Sequence, residues 1–475
     1  MKSCLLLLVY LLIFGCRSQK SVDGVQEKPN ILFIFIDDLG WPAIESYGNQ
    51  HVKTPHINRI GEEGIRFTNA YVTPQCTPSR ASLLTGQHTA INTMWHVIPG
   101  YSFPNARMRE PEYIRDLPRE TYTIGEALKD NGYTTAMLGK WHLSIYENDG
   151  YYTRLFDSAK VHYGFDYVDR STGEYQGKGD KGVDMLTDEA IGFMKNNQEN
   201  EKPFFIYLSH HTIHGPVIAP ENLVNKYKEK GYPEDGLFNV YYLAALEHLD
   251  NSVGRLFSAM DEMSILENTV VIFLSDNGGV DKFFDNAPLR WGKGAPYEGG
   301  IRVPFMVRYP KKFKKGIVSE LPVHVIDMYP TLVDIGGGEM KMEHQLDGLS
   351  LLPHLREGKN LERDVLFWYT PLYDPQWGAV PSAIIRKGDY KLIKFYGDYI
   401  EKEKDLNYLP EGRVELYNLK EDIGESKDLV NEMPEKAKNL ERELDDWLVS
   451  TGVALPTLNE KFDQEKVYER ENYRK

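Results

Sequence analysis

At 475 residues the chain exceeds what one compact domain usually holds, and an apolar share of 41% is ample for a real core. The formal net charge of −15 repels polyanions at long range, which excludes nucleic acid as a partner. An anionic substrate would have to be captured by a local basic cluster working against that global field.

The chain opens on Lys2 and an apolar run from Leu5 to Phe14, too short to span a bilayer and fitting the core of a signal peptide. It closes on Ile13-Phe14-Gly15-Cys16, which resembles a bacterial lipobox with Cys16 as the acylated residue. Phe14 departs from the usual small residue, so cleavage without lipid is the alternative. The expectation is a signal over residues 1–16, a polar tether over 17–29, and export as a periplasmic or outer-membrane lipoprotein. The lipid would be its only membrane contact.

Four apolar runs follow: Ile31 to Ile36, Tyr133 to Leu138, Phe204 to Leu208 and Val270 to Leu274. Continuous apolar runs of this length predict strands buried on both faces of a parallel sheet. Helical spacing over Tyr122–Asn131 and Gly236–Met263 alternates with them, which predicts an α/β fold. Each run ends in a polar cluster: Asp37-Asp38, Gly139-Lys140-Trp141-His142, Ser209 to His214, and Ser275-Asp276-Asn277. In open α/β sheets ligands sit beyond the carboxyl ends of the strands, so the four clusters are expected to share one site. After about residue 350 short strand-like pieces precede a charged helix over Pro434–Ser450. The expected division is a catalytic domain over 30–350 and a small α+β subdomain over 351–475, with a short antiparallel sheet.

Cys4 would leave with the signal and Cys16 would carry the anchor, so Cys76 is the one cysteine left in the body. An unpaired thiol in an exported chain marks a reactive or modified residue unless it is simply buried and inert. In Cys76-Thr77-Pro78-Ser79-Arg80, Thr77 reads as a helix N-cap and Pro78 as the first helical residue. That puts Cys76 just before a helix N-terminus, where anions are favoured, with Arg80 one turn in. Asp37, Asp38, Asp276 and Asn277 offer three carboxylates and an amide oxygen, the donor set of a hard cation.

The segment Cys76-x-Pro78-Ser79-Arg80 followed by Leu84-Thr85-Gly86 resembles the signature of the formylglycine-dependent (type I) sulfatases. So do Gly139-Lys140-Trp141-His142, Gly292-Lys293 and Glu298-Gly299-Gly300-x-Arg302, over roughly residues 29–340. The resemblance implies a large mixed, mostly parallel sheet sandwiched by helices, as in alkaline phosphatase. It implies that a separate maturation enzyme converts Cys76 to formylglycine (3-oxoalanine), and that a sulfo-enzyme intermediate then releases sulfate. One Ca2+, or Mg2+, would be held by Asp37, Asp38, Asp276, Asn277 and the modified residue 76. Arg80, Lys140 and Lys293 would bind sulfate, and His142 would serve the nucleophile. His214 would protonate the leaving group, with His211 as runner-up, while Glu298 and Arg302 form a buried supporting pair. A sulfated mono- or oligosaccharide is the expected substrate, with Trp377, Arg386 and His96, beside Tyr373 and Trp95, as candidates to meet the sugar. Two rivals remain at this level: a phosphonate or phosphate monoester hydrolase of the same superfamily, and a glycan-binding lipoprotein without turnover.

Overall fold

The computed structural model describes residues 28–463 apart from 99, 101–102, 145–161, 170–178, 199, 201, 342 and 401–405. The expected signal, Cys16 and nearly all of the tether lie outside the described residues. All four apolar runs are strands, at Asn30–Ile36, Thr134–Gly139, Phe204–Ser209 and Thr269–Ser275. They belong to an eight-stranded sheet ordered Ile317–Ser319, Ile65–Phe67, Phe305–Arg308, Thr269–Ser275, Asn30–Ile36, Phe204–Ser209, Thr134–Gly139, Tyr167–Val168. The four are mutually parallel; Phe305–Arg308 runs against both its neighbours and makes the sheet mixed.

Alternation along the central strand feeds two cores. Ile31, Phe33 and Phe35 enter one, and Leu32, Ile34 and Ile36 the other, as the period of two requires. The first core also takes Leu83 and Leu84 of the helix Cys76–Thr85, Leu128 of Ile124–Asp130 and Leu332 of Met328–Ile335. The second takes the long helix Val240–Glu262. Both helices foreseen from spacing begin later than expected because their caps fix the start. Thr123 and Glu126 form a capping box on one, and the Asn239 side chain accepts from the Tyr242 amide at 3.0 Å on the other. No described helix is long and apolar enough to cross a membrane.

The C-terminal part is a four-stranded antiparallel sheet of Val365–Thr370, Ser382–Lys387, Tyr390–Phe395 and Arg413–Asn418, in chain order. Ala383, Ile385 and Leu392 on one face pack against Leu440, Leu444 and Leu448 of the helix Pro434–Thr451. Trp368, Ile384 and Ile393 on the other face pack against Tyr71, Tyr297 and Ile301. A buried ionic link crosses this junction: Lys391 Nζ lies 3.1 Å from Glu298 Oε1 and 2.7 Å from Glu425 Oε1. The sheet therefore braces the Tyr297–Ile301 stretch that follows Lys293.

Candidate active site

The strand register sets the site. Ile36 is level with Ser275, and Phe35 and Gly139 are both level with Ser209. The residues that follow leave the sheet together and bond across: Asp276 N to Ile36 O (2.9 Å), Asp37 N to Thr212 O (3.1 Å) and Lys140 N to Ser209 O (2.8 Å). Asp38 and His142 both adopt positive φ, at 62° and 59°. Left-handed backbone costs a non-glycine residue roughly 1–2 kcal/mol, and such outliers gather where a site over-determines the chain.

Cys76 is the first residue of its helix, not the residue before it, and Gln75 stands at the N-cap. Thr77 is therefore not the cap. Its hydroxyl donates to the His142 carbonyl at 3.0 Å, which ties the helix start to the Lys140–His142 loop. Ser79 accepts from the Thr73 amide at 3.0 Å and so folds the approach segment back onto the helix. Gly86 ends the helix at φ 68°, where a Cβ would lie 2.6 Å from Leu346 Cδ2, so only glycine fits.

The buried Cys76 Sγ lies 3.3 Å from His142 Nδ1. His142 Nε2 is 2.7 Å from the Ile98 carbonyl, an acceptor only, which assigns the proton to Nε2 and leaves Nδ1 to receive one from residue 76. Burial, and then the charge of Lys140, hold this imidazole well below its ordinary range, so it is neutral.

Arg80 is fully buried and donates to Asp276 Oδ2 through Nη2 (2.6 Å) and Nε (3.1 Å). A further donation to the Lys140 carbonyl (3.0 Å) joins the helix to two strand ends. Lys140 Nζ sits 2.7 Å from Asp37 Oδ2, and Lys293 Nζ 2.6 Å from Asp38 Oδ1. Burial alone would raise both carboxyls and lower both ammonium groups. The pairing reverses this, and Asp37 and Asp38 fall below the carboxylate range while the lysines rise. Asp276 goes the other way: burial and the neighbouring Asp37 charge push it up to about 8.

These residues fit a divalent cation. One ligand atom each of Asp37, Cys76 and Asp276 lies within 4.8 Å of the others. The buried oxygens Asp37 Oδ1 and Asn277 Oδ1 accept no hydrogen bond from any described residue. Asn277 Nδ2 donates to Asp38 Oδ1 at 2.8 Å, so its amide oxygen is the atom left over. A double positive charge there would offset the repulsion that raises Asp276.

His211 and His214 both border the cluster. His211 is buried among the charges of Lys140, Asp37 and Lys181, whereas His214 is half-buried, next to Lys293, Asp37 and Asp38. His210 lies beneath, fully buried. Of the sugar-facing candidates, Trp377 is brought to the site, its half-buried ring centroid 5.8 Å from Lys293 Nζ. Others serve packing instead. Arg386 is buried at the sheet junction, donating to Tyr71 Oη, to Asn69 Oδ1 and to the Gly388 carbonyl. His96 is fully buried, stacked on Tyr113 at 5.4 Å, and Trp95 packs edge-on against Tyr369. Tyr373 is buried against Phe103. Lys181 escaped the sequence reading. It ends no strand, and its short glycine-flanked segment, Gly179 to Gly182, gives no periodic signal, yet the charges of Asp37, Asp38, Lys140 and Lys293 all act on it.

A mixed α/β sheet whose strand ends gather carboxylates, basic side chains and an unpaired cysteine at a helix start defines a hydrolase of the alkaline-phosphatase-like fold. The chain belongs to the sulfatase family, and it is a sulfuric ester hydrolase. The "Sulfatase" family model matches residues 29–338, and the "N-sulphoglucosamine sulphohydrolase, C-terminal" model matches residues 290–451. It is similar to a sulfatase of Formosa agariphila, 28% identical over 91% of each chain. It is likewise similar to the N-acetylgalactosamine-6-sulfatase of Homo sapiens, 28% identical over 73% of this chain and 69% of the other. The solved structure of Ps i-CgsB with k-i-k-neocarrahexaose superposes with a TM-score of 0.73 at 26% identity, covering 89% of this chain and 93% of that one.

Proposed function

We propose that the chain releases inorganic sulfate from a sulfated mono- or oligosaccharide, with Cys76 matured to formylglycine and one calcium ion at Asp37, Asp38, Asp276 and Asn277. What carries the reading is convergence: the Asp37, Cys76 and Asp276 ligand atoms lie within 4.8 Å of one another, ringed by Arg80, Lys140 and Lys293. Three carboxylates and an amide oxygen suit calcium, and magnesium would also satisfy the ligands. When bound, the cation neutralises charge on a sulfate oxygen, and the hydrated aldehyde supplies the attacking oxygen.

The chain's own side chains divide the rest. His142 Nδ1 accepts the proton given up at residue 76, in keeping with its Nε2–H bond to Ile98. Lys140 and Lys293 bring two positive charges to the sulfate and form the local basic cluster that the net charge of −15 demands. His214 holds its Nδ1 2.6 Å from the Gly215 carbonyl, which fixes one proton on Nδ1, so Nε2 protonates the departing sugar oxygen from the imidazolium form of the ring. Trp377 beside Lys293 offers an aromatic face to a sugar ring. Carbohydrate as the organic part is supported by the relative named for N-acetylgalactosamine 6-sulfate and by the neighbour holding a neocarrahexaose. Export with an acyl group on Cys16 rests on the sequence around that residue, and its check is whether Cys16→Ser moves the protein from the membrane fraction to the soluble one.

The decisive experiment pairs two measurements on natively produced protein. The peptide containing residue 76 should carry the mass of formylglycine, and the protein should release sulfate from members of a sulfated oligosaccharide panel. An unmodified thiol in active protein would defeat the mechanism, and release from aryl esters alone would defeat the substrate class.

A further inference from the structure

We infer that Lys181 is a positioning residue for His214, one that keeps its imidazole on the departing oxygen of the ester; this rests on the sulfatase reading above. The Lys181 ammonium donates to the His214 carbonyl and, at 3.0 Å, to the Pro216 carbonyl. Between them the Gly215 carbonyl receives His214 Nδ1 at 2.6 Å. Three consecutive carbonyls are thus engaged, two by the lysine and one by the ring itself. A shift of this turn would carry the imidazole with it.

Lys181 is anchored from the other side. Asp180 accepts from the Gly182 amide (3.0 Å) and the Asp184 amide (2.7 Å) at the start of the helix Val183–Gln198, and it lies 3.0 Å from His248 Nε2 of the helix Val240–Glu262. The turn that carries His214 is therefore fastened through Lys181 to two helices. Lys181 itself is buried and sits at φ 61°. Burying an ammonium and holding a residue with a Cβ in the left-handed region both cost free energy. A lysine kept there at that cost points to a demand for an ammonium that can donate to two carbonyls at once.

The chemistry says what the demand is. As the sulfur–oxygen bond breaks, its electron pair goes to the departing oxygen, which takes the Nε2 proton of the His214 imidazolium and leaves the ring neutral, with its remaining proton on Nδ1 against the Gly215 carbonyl. A sugar alkoxide needs that proton far more than a phenolate does. Misplacing such a donor by about 1 Å costs on the order of 100-fold. Lys181 does not touch the reacting atoms.

The test uses full-length protein whose residue 76 is confirmed as formylglycine, assayed on a sulfated sugar and on an aryl sulfate with an acidic phenol. Lys181→Met should lower kcat on the sugar ester by about 10- to 100-fold, with little change in KM. It should lower kcat on the aryl ester much less. In a His214→Ala background the same change should add nothing on the sugar ester, since the residue it acts through is gone. Lys181→Arg, which keeps two donors and guards against a misfolded methionine variant, should restore part of the sugar-ester rate. Equal losses on both esters, or an additive loss in the His214→Ala background, would overturn the inference. A wild-type protein that releases sulfate from no ester would instead strike the sulfatase reading itself.

Discussion

Cys76 Sγ and His142 Nδ1 face each other at 3.3 Å, while the far side of the ring is locked by the Ile98 carbonyl at 2.7 Å. The lock fixes the tautomer, so the base toward residue 76 is present at neutral pH without any titration. His142→Ala should lower kcat by about 10²- to 10⁴-fold, as the loss of a positioned proton acceptor does. Steady-state sulfate release checks it, with the mass of residue 76 measured in the same preparation. A loss smaller than tenfold in fully matured protein would remove His142 from the proton path.

Arg80 and Asp276 form a pair with no exposed side-chain surface. Removing Asp276 strands the guanidinium, which stays charged, at a typical cost of about 3–5 kcal/mol, whereas removing Arg80 lets the Asp276 carboxyl, already pushed up to about 8, take a proton. Asp276→Asn should accordingly lose stability on that scale in urea unfolding as well as activity. Adding Arg80→Met should return much of the stability and none of the activity. Full additivity of the two destabilisations would show that the pair is not coupled.

Cation removal should separate binding from folding. Chelation should abolish sulfate release, and calcium should restore it. A ligand that binds only the folded state at 100 times its Kd stabilises by about 2.7 kcal/mol, so the melting temperature should rise with added calcium. Asp276→Asn should blunt that rise. A melting temperature indifferent to calcium would place the cation elsewhere.

How much of this was legible beforehand follows from the kind of signal each residue gives. The strand ends were readable because an apolar run buried on both faces must stop where polar residues begin, and parallel register then sets Asp37 level with Asp276, and Lys140 level with His210 one residue short of them. Cys76 stood out as the one cysteine expected to remain in the body of the chain. Thr77 was misjudged because capping preference is local, whereas its hydroxyl is taken by His142, sixty-five residues away. Arg386 and His96 looked like sugar contacts because polar and aromatic residues near a loop suggest a pocket. Sequence does not show that Tyr71 and Tyr113 close over them. Lys181 left no trace, since its partners are backbone carbonyls and carbonyls carry no residue identity.

The segment past the nucleophile helix makes stability depend on pH through Glu110. Burial pushes its carboxyl up to about 8, and the Tyr373 amide that donates to it offsets only part of this. Asp374 opposes its ionisation, Arg115 favours it, and His96 Nε2 stands 3.5 Å away with its own ring held near 4 by burial. Folded Glu110 is therefore protonated at pH 6 while the unfolded carboxyl, near 4.3 or so, is ionised. Between those two values the folded state binds the extra proton, so stability falls as pH rises, by up to about 1.4 kcal/mol per pH unit. Below the lower value and above the upper one the contribution is flat. Glu425 at about 7, with Asp250 and Asp398 at about 6, adds slopes of the same sign over narrower windows. Glu110→Gln keeps an uncharged acceptor for the Tyr373 amide and should flatten the decline without abolishing it. Urea midpoints at pH 5 and pH 8 measure the difference. An unchanged slope in the glutamine variant would show that Glu110 is already ionised in the folded protein, its charge then answered by Arg115.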